Sequence, residues 1–104
     1  MDNDWIDIQA DPAHCARERQ KARELRKTAW WQGQLNKGIC HYCGKKFSPQ
    51  ELTMDHIVPV VRGGKSIRGN VVPCCKGCNN RKKYLTPVEM ILQDLEENNG
   101  HSDD

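Results

Sequence analysis

The sequence predicts a small α+β domain whose fold depends on a bound metal ion. Its 104 residues are enough for one domain, and a hydrophobic fraction of 37% with a single Phe predicts a thin core. Domains of this size often need a metal ion or disulfides to be stable. Six cysteines, four of them in two Cys-x-x-Cys pairs, supply that constraint.

The paired cysteines are Cys40 with Cys43 and Cys75 with Cys78. The acidic start of the chain has neither the basic nor the apolar region of a signal peptide, and no apolar run approaches the ~20 residues of a membrane helix. We therefore expect a cytoplasmic protein with no membrane partner. Thiols stay reduced there, so the pairs predict a structural Zn²⁺ held by four thiolates rather than disulfides or a redox dithiol.

One ambiguity concerns Cys74, because it is adjacent to Cys75 and one of the two must be the ligand. The two-residue spacing to Cys78 favours Cys75. We expect Cys74 and Cys15 to be small buried side chains. His41 lies inside the first turn, and we expect it at the surface.

Two helices are predicted outside the cysteine-rich segment. Asp11 as N-cap and a proline at the first helical position predict a basic helix over residues 12–35, which Gly38 ends. Trp30 and Trp31 are predicted to pack on the zinc module rather than to stack on bases. Thr86-Pro-Val-Glu predicts the start of a helix over 87–97 with an apolar face for docking.

The segment between these helices predicts short elements. In order, these are a zinc knuckle (39–47), one helical turn after Ser48, a strand (52–61), a glycine-rich basic loop (62–69), a return strand (70–72) ended by Pro73, and a helix (76–83).

The charge is strongly segregated along the chain. All 16 Lys and Arg lie within residues 12–83, which hold only four acids, so this body carries +12 between acidic ends. Such a distribution favours a polyanionic partner, most simply nucleic acid.

Within the basic body, Asp55-His56 lies on a predicted strand, Asn70 follows fourteen residues after His56, and Asn79 stands at the start of a helix. Together with Met-Asp-His-Ile-Val-Pro, Gly-Asn-Val-Val-Pro and Cys-Lys-Gly-Cys-Asn-Asn, residues 40–83 resemble the zinc-stapled subgroup of the HNH endonuclease family. Asn79 replaces the final His, which makes this the HNN variant. Asn80 is a competing position for the same role.

The resemblance implies a ββα-metal (His-Me finger) core, flanked here by the basic N-terminal helix and the C-terminal helix. It also implies a bacterial or phage-encoded DNA endonuclease that leaves 5′-phosphate and 3′-hydroxyl ends. His56 would be the general base, and Asn70 would hold its loop and ring in place. Asp55 and Asn79, as oxygen donors, would hold a catalytic Mg²⁺ or Mn²⁺.

Several expectations follow for the whole chain. Residues 1–11 would be an acidic flexible arm, 12–97 the nuclease domain with its core at 38–84, and 98–104 a disordered acidic tail. Double-strand cleavage would require a dimer or two encounters, because one site cuts one strand. The weaker candidates for phosphate contacts are Arg62, Lys65, Arg68, Lys82 and Lys83.

Two other functions compete with the nuclease interpretation. A non-catalytic zinc ribbon that binds nucleic acid or recruits a nuclease would use the four cysteines and the basic surface but not Asp55 or His56. A thiol-redox protein would need an exposed Cys-x-x-Cys with two key cysteines, and four metal-bound thiolates argue against it.

Overall fold

A computed structural model describes residues 10–102, with side chains through residue 96. Within that range the chain forms four α-helices and one two-stranded antiparallel sheet. Their order is α1 (Pro12–Arg26), α2 (Ala29–Asn36), β1 (Leu52–His56), β2 (Val71–Cys75), α3 (Lys76–Lys82) and α4 (Pro87–Ser102). The predicted α+β class is confirmed. Residues 1–9 of the predicted arm and 103–104 of the predicted tail lie outside the described residues.

The predicted helix 12–35 is divided in two. It begins as expected, because the Asp11 side chain accepts the His14 N–H at 2.8 Å. It is interrupted at Thr28, whose hydroxyl donates to the Leu25 carbonyl at 2.7 Å and accepts the Trp31 N–H at 3.2 Å. This side chain therefore ends α1 and caps α2 at once, which is a competition that Ser and Thr side chains offer to helical hydrogen bonds.

Both strands differ in extent from the prediction. β1 ends at His56 rather than at residue 61, because the Asn70 side chain, not a strand, pairs with the Val58 N–H (2.9 Å) and carbonyl (3.1 Å). β2 continues through Pro73 to Cys75, so the prediction that Pro73 ends it is wrong. Pro73 is tolerated because each strand of a two-stranded sheet has an outer edge, where a missing N–H breaks no hydrogen bond between the strands.

The sheet and α3 form the centre of the fold. β1 and β2 pair from Leu52 opposite Cys75 to His56 opposite Val71, and α3 contacts both strands. The buried cluster consists of one leucine and four cysteines, with further side chains packed around it: Cys40, Leu52, Cys74, Cys75 and Cys78, then Leu35, Tyr42 and Phe47. This strand–strand–helix unit is the ββα core.

Helix α1 lies against the loop that joins the strands. The Ala10 N–H donates to the Val61 carbonyl at 2.8 Å, and a His14 ring nitrogen lies 3.0 Å from the Gly64 carbonyl oxygen. Gly64 is required by close packing, because a Cβ there would lie 1.8 Å from the Val58 carbonyl oxygen. The basic loop is thus folded back onto α1.

Helix α4 is held by its charged side. Arg62 makes a bidentate pair with Glu89 at 3.0 and 3.2 Å, and Arg81 lies 3.5 Å from Asp94. The apolar face of this helix was predicted to dock, but it does not pack against the described part of the chain. Each of its residues is more than half exposed: Val88, Ile91, Leu92 and Leu95. The helix also continues to Ser102, past its predicted end at residue 97.

Candidate active site

The four predicted zinc ligands converge. The sulfur atoms of Cys40, Cys43, Cys75 and Cys78 all lie within 4.8 Å of one another. In a tetrahedral site with Zn–S bonds of about 2.3 Å, the sulfurs are separated by about 3.8 Å. Four thiolates at this spacing therefore fit a structural Zn²⁺.

Hydrogen bonds from the backbone prepare these sulfurs for a cation. The Cys40 sulfur accepts the Cys75 N–H at 3.4 Å, and the Cys75 sulfur accepts the Cys78 N–H at 3.5 Å. Burial opposes ionisation of Cys40, but the backbone donors outweigh it and lower its pKa to about 6. Burial and the neighbouring sulfurs raise the pKa of Cys78. A bound cation would allow all four thiols to ionise together.

The two remaining cysteines are buried, as predicted. Cys74 is fully buried outside the cluster of four, and its thiol donates to the Cys75 carbonyl at 3.4 Å. Burial, with a contribution from the Asp55 charge, raises the pKa of Cys74 to about 12. Cys74 is thus a neutral thiol, and Cys75 is the one that belongs to the zinc cluster.

A cleft of about 250 Å³ brings together three of the four predicted catalytic residues. Asp55 and His56 come from the end of β1, and Asn79 comes from α3. Adjacent residues of a strand point to opposite faces, but β1 ends at His56 and the chain bends there, so both residues line one cleft. Of the two neighbouring asparagines, Asn79 lines this cleft.

Asp55 is buried, and one of its oxygens is already engaged. The Tyr42 hydroxyl donates to Oδ2 at 2.6 Å, and the Lys82 ammonium lies 3.3 Å from the same oxygen. Burial and the nearby carboxylate raise the pKa of the Tyr42 phenol, so this hydroxyl remains a donor. A metal ion would have the Oδ1 oxygen of Asp55 and the amide oxygen of Asn79 as hard donors, which suit Mg²⁺ or Mn²⁺.

His56 is half-buried, with its Nε2 atom 2.8 Å from the Ser66 hydroxyl and its carbonyl accepting from Lys82 at 2.8 Å. Desolvation lowers the pKa of His56, although the Asp55 charge acts in the opposite direction. A lowered pKa keeps the imidazole neutral near pH 7, which is the form that can accept a proton.

Asn70 holds the loop after β1 but does not contact the His56 ring through its side chain. Besides its two bonds to Val58, its amide donates to the Lys65 carbonyl at 2.8 Å, and its own carbonyl accepts the Ile57 N–H at 2.8 Å. The ring is held by Ser66 instead.

The five weaker candidates for phosphate contacts separate into two groups. Lys82 is 1% exposed and pairs with Asp55, so its prediction as a surface phosphate contact is wrong. Arg62 is engaged with Glu89 in the bidentate pair. Lys65, Arg68 and Lys83 are exposed, with the Arg68 guanidinium 5.2 Å from the centre of the Trp30 ring and Lys83 in the cleft.

Sequence reasoning missed four residues that shape this site: Glu18, Tyr42, Ser66 and Lys82 in its buried role. It also did not single out Arg19 of α1, which lines the cleft. For Tyr42 the sequence did offer a signal. It lies between two predicted zinc ligands, so its turn must lie close to Cys75 at the end of β2 and therefore close to the sheet. For Glu18 and Ser66, 48 positions apart, the sequence offered none.

The fold and the site define a class of protein: a ββα unit, stapled by a four-cysteine cluster, with an Asp-His pair at its strand end. The sequence model of the HNH endonuclease family matches residues 40–93, which is more than half of the chain. The chain belongs to the HNH endonuclease family. This membership indicates a nuclease domain that acts on nucleic acid.

A comparison with curated proteins gave no significant match. Between residues 10 and 102, the helices are too short or too polar to span a bilayer.

Proposed function

We propose that the protein is a metal-dependent DNA endonuclease that hydrolyses phosphodiester bonds in the cleft formed by Asp55, His56 and Asn79. The observation that carries the proposal is their convergence: a half-buried imidazole, a carboxylate and an amide line one cleft next to the zinc cluster. A non-catalytic zinc ribbon would have no use for this arrangement.

In the proposed reaction, His56 removes a proton from the attacking water as general base. Asp55 and Asn79 would hold a Mg²⁺ or Mn²⁺ ion, which would supply neutralising charge at the scissile phosphate and at the leaving oxygen. Asn70 keeps the loop after β1 closed on Val58 and Lys65, so His56 stays at the cleft.

The substrate proposal rests on the basic surface around the cleft. Arg19 and Lys83 line it, and Lys65 and Arg68 are exposed on the neighbouring loop. These side chains would contact phosphates rather than base edges. We therefore propose that the protein binds the sugar–phosphate backbone of DNA, with an affinity that depends strongly on salt.

One such site cuts one strand, so double-strand breaks would need two copies or two encounters. By the same proposal the protein works in the cytoplasm, and residues 12–97 form the nuclease domain.

The test uses the zinc-loaded full chain and supercoiled plasmid, with Mg²⁺, with Mn²⁺ or with no added ion. We expect nicked circles only when an ion is added, and DNA ligase should reseal the nicks because the ends are 5′-phosphate and 3′-hydroxyl. Asn79→Ala should need more ion for its half-maximal rate, whereas the neighbouring Asn80→Ala should not.

Failure to nick any DNA form with either ion would refute the endonuclease proposal. Retained DNA binding in that case would favour the zinc-ribbon alternative.

A further inference from the structure

A buried polar chain connects α1 to the candidate general base. The Ser66 N–H donates to the Glu18 carboxylate at 2.7 Å, and the Ser66 hydroxyl lies 2.6 Å from the Glu18 backbone carbonyl oxygen. The other neighbour of that hydroxyl is His56 Nε2, at 2.8 Å. Glu18 and Ser66 are 3% and 7% exposed, so water competes little for these bonds.

The number of hydrogens fixes the direction of these bonds. A serine hydroxyl has one hydrogen, and the Glu18 carbonyl can only accept. The Ser66 hydrogen therefore goes to Glu18, and the Ser66 oxygen accepts the N–H of His56 Nε2. In the neutral imidazole this leaves Nδ1 unprotonated, as the nitrogen that can take a proton.

The partner that sets this direction comes from outside the segment that matches the family. Glu18 lies on α1, whereas the match covers residues 40–93. The burial of its carboxylate is offset by the Ser66 N–H and by Lys21 at 3.4 Å, and the Ser66 N–H is the main reason that the pKa of Glu18 is lowered. A charged, buried group that is this well satisfied holds Ser66 in one place.

We propose that Ser66, held by Glu18 of α1, is a positioning residue that fixes His56 in the Nε2–H tautomer, so that Nδ1 is the atom that accepts the proton of the attacking water. This rests on the proposed function for its role in cleavage. The tautomer itself does not depend on cleavage. The N-terminal helix is thereby part of the catalytic apparatus rather than a basic appendage.

The first test is the ¹⁵N NMR spectrum of the zinc-loaded full chain, at a pH where His56 is neutral, with its signals assigned by comparison with His56→Ala. We expect the Nε2-protonated form in the parent and in Ser66→Thr, which keeps the hydroxyl. Ser66→Ala should give a mixture of tautomers. A parent protein whose His56 is protonated on Nδ1 would overturn the proposal without any variant at position 66.

The second test is single-turnover nicking. Ser66→Ala should lower the maximal rate by about 10- to 100-fold with little change in the DNA concentration for half-maximal rate, as for other side chains that orient a reacting group. Ser66→Thr should recover most of the rate. Glu18→Gln keeps the acceptor for the Ser66 N–H and should stay near the parent rate, whereas Glu18→Ala should not.

The matched control is Glu24→Ala, which removes an exposed carboxylate from the same helix. A Ser66→Ala variant with the parent's maximal rate and tautomer would contradict the proposal. If the parent does not nick DNA at all, the proposed function fails, and the NMR result alone still decides whether Ser66 fixes the His56 tautomer.

Discussion

The zinc cluster and the candidate catalytic cleft both use α3, which supplies Cys78 to one and Asn79 to the other, but they are built to different degrees of completeness. In the cluster, four sulfurs lie within 4.8 Å of one another, each supplied by a turn of the backbone. In the cleft, Asp55 has given one oxygen to Tyr42 and Lys82, while Asn79 is exposed. The difference is typical of a closed structural site beside an open one that exchanges ions and substrate.

The order of assembly follows from this difference. A four-thiolate site contributes its binding free energy to folding, because the unfolded chain has no such site. The cleft instead depends on a fold that already exists. Tyr42 belongs to the first cysteine turn, and its hydroxyl donates to Asp55, so the position of that turn affects the position of Asp55. Breaking the cluster should therefore destroy the cleft, while changes in the cleft should leave the cluster intact.

The largest expected effect is that of Cys40→Ser. Structural zinc contributes about 10–16 kcal/mol in small zinc-dependent folds, so the variant should lose both bound zinc and the folded centre of the chain. Circular dichroism and zinc analysis would measure this. Cys74→Ser is the matched control, because Cys74 is equally buried but lies outside the cluster. A folded, metal-free Cys40→Ser protein would show that the cluster is not what holds the fold.

The next effect in size is that of Lys82→Met. Removing one partner of a buried ion pair leaves Asp55 uncompensated, so the free energy of unfolding should fall by about 3–5 kcal/mol, with zinc retained. Added Mg²⁺ should restore stability more in this variant than in the parent, because binding to the folded state alone stabilises it. Denaturant titration with and without Mg²⁺ measures both effects.

Lys83→Met, at an exposed neighbouring position, controls for the loss of charge. If Lys82→Met were as stable as the parent, the ion pair with Asp55 would contribute nothing to the free energy of unfolding.

The smallest effect expected is that of Tyr42→Phe, which removes only the hydroxyl that contacts Asp55. A lost hydrogen bond to a buried charged group costs about 1–3 kcal/mol, and Lys82 still pairs with the same oxygen. Thermal unfolding and zinc analysis should show a less stable protein with its full zinc content. Tyr84→Phe, an exposed tyrosine of the same cleft, should be neutral. A loss of zinc from Tyr42→Phe would mean that the two sites are not separable.

The predictions that succeeded rest on short spacings. Two residues between cysteines place two sulfurs on one turn, and an Asp before a proline caps a helix within four residues, so the place of Cys75 in the four-sulfur cluster and Asp11 as the cap were confirmed. The ββα order also follows from local patterns: a run of apolar residues, a glycine-rich loop and a helix start.

The contacts that escaped prediction depend on tertiary placement. Ser66 meets Glu18 across 48 positions, and nothing in the sequence of α1 distinguishes Glu18 from the exposed Glu24. Lys82 and Lys83 are both basic in the sequence, but Lys82, the last residue of α3, is buried, whereas Lys83 is exposed. The end of β1 was misplaced for a similar reason, because a side chain, Asn70, replaces the strand partner.

The central claim is that the His56 imidazole is the general base for phosphodiester hydrolysis. A matched pair of histidine variants tests it most directly. His56→Ala and His41→Ala, the latter at an exposed position in the cysteine turn, would be compared for nicking of supercoiled plasmid at saturating Mg²⁺ or Mn²⁺. Loss of a general base should slow His56→Ala by about 100- to 10,000-fold, with zinc and fold unchanged, while His41→Ala keeps the parent rate. A folded His56→Ala protein that nicks DNA as fast as the parent would contradict the account.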